Sequence, residues 1–304
     1  MIKKFIYKVL FTSICFFSLL SVVLFAVSKY VEDKKFKNSQ TESNTLIVKS
    51  DCKYDLLFMG ISHARNFSRY ENHKIVERIL DKKIINIGQG GGICSINEQL
   101  FYLKYFYSKG NKADAVVLIL TPSMLTSEKL PIASNTFDKE IFDLSFLYQY
   151  LLFDSENKYQ RIIKYLQSKL TKEWINLEPD YTVGKFDSLT RMDELTVKKG
   201  FLLARQQNIN IERFKKSCFQ VEEIIKLAEM NNSKVVFIIP PALFGKWPEH
   251  NQVSDFAKKM KEKHGINFYD FSESVLKPQY YYDHHHLNTK GVKYFTSVYL
   301  KPIL

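Results

Sequence analysis

Hydrophobic positions fall into three regimes along the chain. From Val9 to Val27, VLFTSICFFSLLSVVLFAV, nothing is charged, and the run approaches the ~20 apolar residues that carry a helix across a bilayer. It exceeds the ~7–15-residue apolar core of a cleaved signal peptide, and Ala26-Val27-Ser28 is a poor cleavage site. Residues 9–28 therefore predict an uncleaved transmembrane anchor behind a basic segment, residues 1–8. Residues 29–53 are polar and low in aromatics, which predicts a tether.

From residue 54 to 304 the pattern is that of a folded domain. YDLLFMGI (54–61), KIINIG (83–88), DAVVLILT (114–121), KVVFIIP (234–240) and INFYDFS (266–272) are short apolar runs of strand length. Between them, helical spacing joins Phe67, Tyr70, Val76, Ile79 and Leu80, and further helices are expected over 96–110, 211–232 and 251–264. Continuous apolar strands separated by helices predict an α/β fold, a three-layer α/β/α sandwich with a mostly parallel sheet. In the third regime, about residues 123–205, the alternation dissolves into aromatic, lysine-rich sequence. It is read as a largely helical insertion beside the active face, since binding elements sit on connections at strand ends.

Charge adds a partner class. Lys and Arg outnumber Asp and Glu by 44 to 32, a net +12, which suits an anionic membrane surface or an anionic polymer. A membrane anchor argues against nucleic acid. Lysines on the two sides of the apolar run nearly balance, so charge alone does not orient it. A long C-terminal domain translocates largely regardless of its charge, which places the N-terminus in the cytoplasm and the large domain on the extracytoplasmic side of the cell membrane. Of the four cysteines, Cys15 lies in the apolar run, and Cys52, Cys94 and Cys218 form no CxxC. Neither a disulfide framework nor a structural zinc site is indicated, and no cofactor is expected.

Chemistry enters at two places. Ser62, in MGISHARN, follows the first strand at a strand-to-helix turn, where a hydroxyl lies near free backbone N–H groups; an ordinary helix cap is the alternative. A serine nucleophile needs a base and the base needs an orienting group. His63 is adjacent in sequence and diverges from Ser62. His286, in the run DHHHLNTKG (283–291), can reach it beyond the carboxyl ends of the strands, with Asp283 three residues earlier to hold the ring. His284 and His286 with Asp283 could instead form a metal trio, but consecutive histidines seldom converge. The aromatics of the insertion, Trp174 with it, and Trp247 serve either as core or as a platform for sugar rings.

Together GISH (60–63), NIGQGGG (86–92) and DHHHLNTKG (283–291) resemble the first, second and fifth blocks of the SGNH (GDSL-like) hydrolase superfamily, across nearly all of residues 54–304. The serine-to-acid order does not fit the rival α/β-hydrolase elbow, where the acid lies well before the histidine. The resemblance implies Ser62 as nucleophile, His286 and Asp283 as base and orienter, and an oxyanion hole from the N–H groups of Ser62 and Gly91, with Gly90 as the other candidate. The third block departs: LTPSML stands where the family carries G-x-N-D, so its oxyanion asparagine is absent, and Thr121, Ser123 or Asn97 are candidate replacements. That departure and the anchor resemble membrane-associated branches that modify cell-surface polymers, including the D-alanyl transfer protein of teichoic acid synthesis and exopolysaccharide acetyltransferases. The expectation is a serine esterase or acyltransferase, O-acetyl in specificity by that resemblance, acting on an acylated glycan or other surface polymer, with a membrane acyltransferase as a candidate partner. A catalytically degenerate scaffold is the alternative.

Overall fold

The computed structural model describes residues 2–38, 49–70, 72–89, 95–126, 135–138, 140–153, 157–172, 174–175, 189, 194–204 and 211–304. The apolar N-terminus is one continuous helix, α1 (Ile2–Asn38), of 37 residues, about 55 Å at 1.5 Å per residue. Among the described residues it alone is long and apolar enough to cross a membrane. It runs on past residue 28 through the first part of the stretch expected as a tether. Two local causes support the extension: Lys29 pairs with Glu32 and Asp33 one turn away, each at 3.6 Å, and Val31 is buried against Ile141 and Trp174. Residues 39–48 lie outside the described residues.

Five strands form the sheet: β1 (Lys53–Gly60), β2 (Ile84–Asn86), β3 (Lys112–Ile119), β4 (Lys234–Ile239) and β5 (Asn267–Asp270). Their order is β2-β1-β3-β4-β5, and every neighbouring pair is parallel. Side chains alternate between two cores. Leu57, Met59, Val116, Leu118, Val235 and Phe237 enter one, and Leu56, Phe58, Val117, Ile119, Val236 and Ile238 enter the other. A sheet buried on both faces needs apolar residues at every position, which is why the strands read as continuous apolar runs.

The helices that close these cores are α2 (Ser62–Arg65), α3 (Asn72–Leu80), α4 (Ile96–Ser108), α5 (Ser123–Thr126), α6 (Asn135–Asp138), α7 (Leu144–Leu152), α8 (Lys158–Ser168), α9 (Glu194–Ala204), α10 (Ile211–Met230), α11 (His250–His264) and α12 (Thr289–Phe295). α4, α10 and α11 cover the first core; α2, α3 and α12 cover the second. The protein is thus a three-layer α/β/α sandwich with an added N-terminal helix. The helix expected across Phe67 to Leu80 is confined to α3, and Phe67 and Tyr70 lie in the turn between α2 and α3. Tyr70 adopts φ 56°, a left-handed conformation that ends a right-handed helix, and the Asn72 side chain donates to the Asn66 carbonyl at 2.8 Å to close the turn.

Among the described residues the regular elements of the insertion are helices, α5 to α9. Only part of it lies beside the site, however. α7 and α8 pack Phe146, Tyr150 and Tyr165 outside α4, among Phe101 and Tyr105. α9 is the element that turns inward: Gly200 lies so close to the His284 ring that a Cβ there would overlap it.

Candidate active site

The chain leaves β1 for the sheet edge at β2 and returns to the other side of β1 as β3, so connections diverge above β1. Such a switch point opens a crevice at the carboxyl ends of the strands. Ser62 sits there, two residues beyond β1. Gly60 ends the strand at φ +139°, where a Cβ would meet the Ile119 carbonyl oxygen at 2.8 Å, and its N–H donates to the Gln99 side chain at 2.9 Å. Gln99, fully buried on α4, thereby holds the strand end that presents the serine. α2 is a single turn, so it contributes little macrodipole; what acts on the hydroxyl is the imidazole opposite.

That imidazole belongs to His286, whose Nε2 lies 2.7 Å from Ser62 Oγ, while its Nδ1 lies 2.7 Å from Asp283 Oδ2. A carboxylate only accepts, so Nδ1 carries the ring proton and Nε2 is left to accept from the serine hydroxyl. Asp283 Oδ1 also accepts the backbone N–H groups of His285 and His286, at 2.9 and 2.7 Å. Burial alone would raise the Asp283 carboxyl; hydrogen bonding and charge from His286, with the His285 amide, outweigh it and hold the group well below the usual carboxylate range.

The segment carrying these residues is a tight loop. Tyr281 and Leu287 form an antiparallel bridge, Tyr282 N–H donates to the His286 carbonyl at 3.2 Å, and Asn288 caps α12 by accepting from Gly291 N–H at 2.9 Å. Asn66, just after α2, donates to the Leu287 carbonyl at 3.3 Å, tying the two halves of the site together. The rings of Tyr282 and His63 both stack on the His286 ring, at 5.4 Å and 2° and at 4.6 Å and 14° respectively.

His63 is therefore part of the site, although sequence adjacency to Ser62 gave no sign of it. Its Nδ1 shares a hydrogen bond with the Thr121 hydroxyl at 3.2 Å, and the ring meets Trp247 edge-on at 4.9 Å. Burial first, then the neighbouring His286 and His285, push its pKa far down, so it is neutral; His285 is held down by burial first, then by His286 and His284. Thr121, one of the candidates to replace the third-block asparagine, is thus engaged with His63. Asn97 is buried on α4 and Ser123 opens α5. Gly90 and Gly91 lie outside the described residues.

Nitrogens of His63, His285 and His286 lie within 4.8 Å of one another, as do the ligand atoms of Asp283, His284 and His285. The first group is poorly arranged for a metal: stacking of His63 on His286 runs their in-plane lone pairs side by side, and both His286 nitrogens are already used. A second Asp–His–Ser grouping, Asp270, His250 and Ser272, is built differently. Ser272 donates to Asp270 at 2.8 Å and lies 3.4 Å from His250, so its hydroxyl is satisfied by the carboxylate and not activated by the ring.

Trp174 and Trp247 are both buried and pack in the core. They are 1% and 5% exposed, and their indole N–H groups donate to the Lys169 and Pro240 carbonyls at 3.1 and 2.8 Å. An indole that spends its N–H on the backbone has no donor left for a ligand. A cleft of about 510 Å³ is lined by Trp247 together with Phe201 of α9 and His250.

No family model matches the chain, and no curated protein matches it. Among solved structures, a Bacteroides fragilis protein provisionally described as an acylhydrolase is similar at 12% identity and a TM-score of 0.39, over 84% of this chain and 89% of that one.

Proposed function

We propose that the chain is a membrane-anchored serine esterase or acyltransferase of SGNH type, transferring an O-acyl group, O-acetyl by the sequence resemblance, on a cell-surface glycan or similar polymer outside the cytoplasm. One observation carries this reading: two hydrogen bonds of 2.7 Å link Ser62, His286 and Asp283 in series, joining residues 224 positions apart. Nothing in the packing of a sheet requires a serine, an imidazole and a carboxylate in that order.

In the proposed reaction His286 Nε2 takes the Ser62 proton as Oγ attacks the acyl carbonyl, and the Nδ1–H bond to Asp283 stabilises the imidazolium. The N–H groups of Ser62 and Gly91, with Gly90 the alternative to Gly91, hold the oxyanion. His286 then returns the proton to the departing alcohol, leaving an acyl-serine. Water or a sugar hydroxyl, deprotonated by the same imidazole, accepts the acyl group and frees Ser62. The same site supports hydrolysis and transfer, and the acceptor decides between them. An inert scaffold is favoured by one feature only, the engagement of Thr121 by His63 where the family carries an oxyanion asparagine.

Hydrolysis of 4-nitrophenyl acetate by the full chain in detergent or nanodiscs, with fluorophosphonate labelling, separates these readings. Wild type should turn over the ester and label, and Ser62→Ala or His286→Ala should each cost on the order of 10³-fold or more in kcat. A folded wild type that neither labels nor hydrolyses acyl esters sinks the enzyme and leaves the scaffold.

A further inference from the structure

We propose that the outer faces of α7 and α8 are seated in the lipid interface of the membrane that α1 crosses, so that the folded domain rests on the bilayer. The proposal needs α1 to span, and it does not depend on the chemistry at Ser62.

α7 is apolar on two sides, and α8 exposes apolar side chains among basic and amide ones. In α7, Phe146 and Tyr150 face the core, while Leu144, Tyr148 and Leu152, spaced four residues apart, are 56%, 60% and 62% exposed. α8 is mixed: Ile162 and Tyr165 are buried, Tyr159, Ile163 and Leu166 are exposed beside the exposed Gln160, Lys164 and Gln167, and Leu170 is exposed just beyond its end. A water-facing helix carries polar residues on its outer side; one that is apolar all round, as α7 is, is covered by something, and one that mixes exposed apolar with basic residues, as α8 does, suits a water–lipid boundary.

The position of α1 identifies the covering. Phe25 packs edge-on against Phe142 at 5.4 Å, and Leu24 and Val27 pack in the cluster of Ile141 and Trp174. Leu24, Phe25 and Val27 belong to the uncharged run, so residues 141–142 lie at the depth of its last turns. Asp143 caps the next helix by accepting from Phe146 N–H at 2.9 Å, so α7 begins at the membrane boundary. Charge agrees with an anionic lipid surface. Neither α7 nor α8 contains Asp or Glu, and α8 contributes Lys158, Arg161 and Lys164. Basic residues mixed with tyrosine and aliphatic side chains are the composition of helices that lie in the headgroup layer.

The test places single cysteines at Tyr148→Cys, Ile163→Cys and, as a control on α11, Lys258→Cys in the full chain with its native cysteines replaced. Each is labelled with an environment-sensitive fluorophore in nanodiscs of phosphatidylcholine and phosphatidylglycerol, after a melting curve shows the fold is kept. Labels at 148 and 163 should be quenched several-fold more by a nitroxide lipid than by aqueous iodide, with the reverse at 258. Iodide quenching at 148 and 163 equal to that at 258 would overturn the proposal. Protection from both quenchers would overturn it too, since a second copy or a protein partner would then be the cover.

Discussion

Asp283 carries most of the electrostatic design at the level of single residues. Its folded-state pKa lies below the unfolded value, so its contribution to stability is complete above about pH 4 and is lost as pH falls toward the folded value. Thermal unfolding followed from pH 6 to pH 2 should therefore show a shallower acid decline in Asp283→Asn than in wild type; parallel declines would mean the carboxylate is not specially stabilised. The same variant should lose roughly 10³–10⁴-fold in kcat for an acyl ester, because an amide can leave the ring in the wrong tautomer. His63 makes a different prediction. It touches His286 by stacking and acts as a positioning residue, so His63→Phe, which keeps a ring there, should retain more kcat than His63→Ala at similar KM. Equal losses in the two would assign its effect to the Thr121 hydrogen bond instead.

Elements fit where glycine allows them to touch. A Cβ on Gly88 would fall 2.8 Å from Ala64 Cβ and 2.9 Å from Arg65 N, so the exit of β2 lies directly against α2 and steadies the turn that holds Ser62. Gly291, in α12, has the Tyr280 carbonyl oxygen where its side chain would be. Gly265, which ends α11 at φ +67°, has open space around it. Gly265→Ala should cost about 1–2 kcal/mol through its left-handed backbone alone, with esterase activity unchanged. Gly291→Ala forces a backbone shift in a packed region, an overpacking cost of about 1–3 kcal/mol, and should also reduce kcat because the shift passes into the loop of Asp283 and His286. Denaturant unfolding and ester hydrolysis measured on both variants decide this; a Gly291→Ala protein with wild-type kcat would show that α12 is mechanically separate from the loop.

At the scale of the molecule, α1 is attached to the domain through the small cluster of Val31, Ile141 and Trp174. Lys169, buried beside it, donates to the Asp138 carbonyl at 2.9 Å and to the Glu140 carbonyl, and burial pulls its ammonium down to about 7 against the raising effect of Glu140 and Asp138. Trp174→Ala removes the largest side chain of that cluster, a loss of about 3–5 kcal/mol where a site cannot collapse. The domain should then move more freely about its anchor, seen as a broadened distance distribution between spin labels on α1 and α11 in nanodiscs, while hydrolysis of a soluble ester is unchanged. An unaltered distribution would show that other contacts hold the helix.

Sequence alone determined the parts in which each residue answers to near neighbours or to one layer of packing. The uncharged run of α1, the apolar strands with their two-sided burial, and the Asp-x-x-His spacing that lets a carboxylate reach its own ring are all of this kind. The strand order, the meeting of Ser62 with His286, and the stacking of His63 were decided only by tertiary structure, because they depend on where crossovers return the chain and not on local preference. The insertion shows the limit most clearly. Its aromatics read as core or as a binding surface, with core the weightier reading, and only packing against α4 and against α1 separated the buried Trp174 from the exposed Tyr148 and Tyr159.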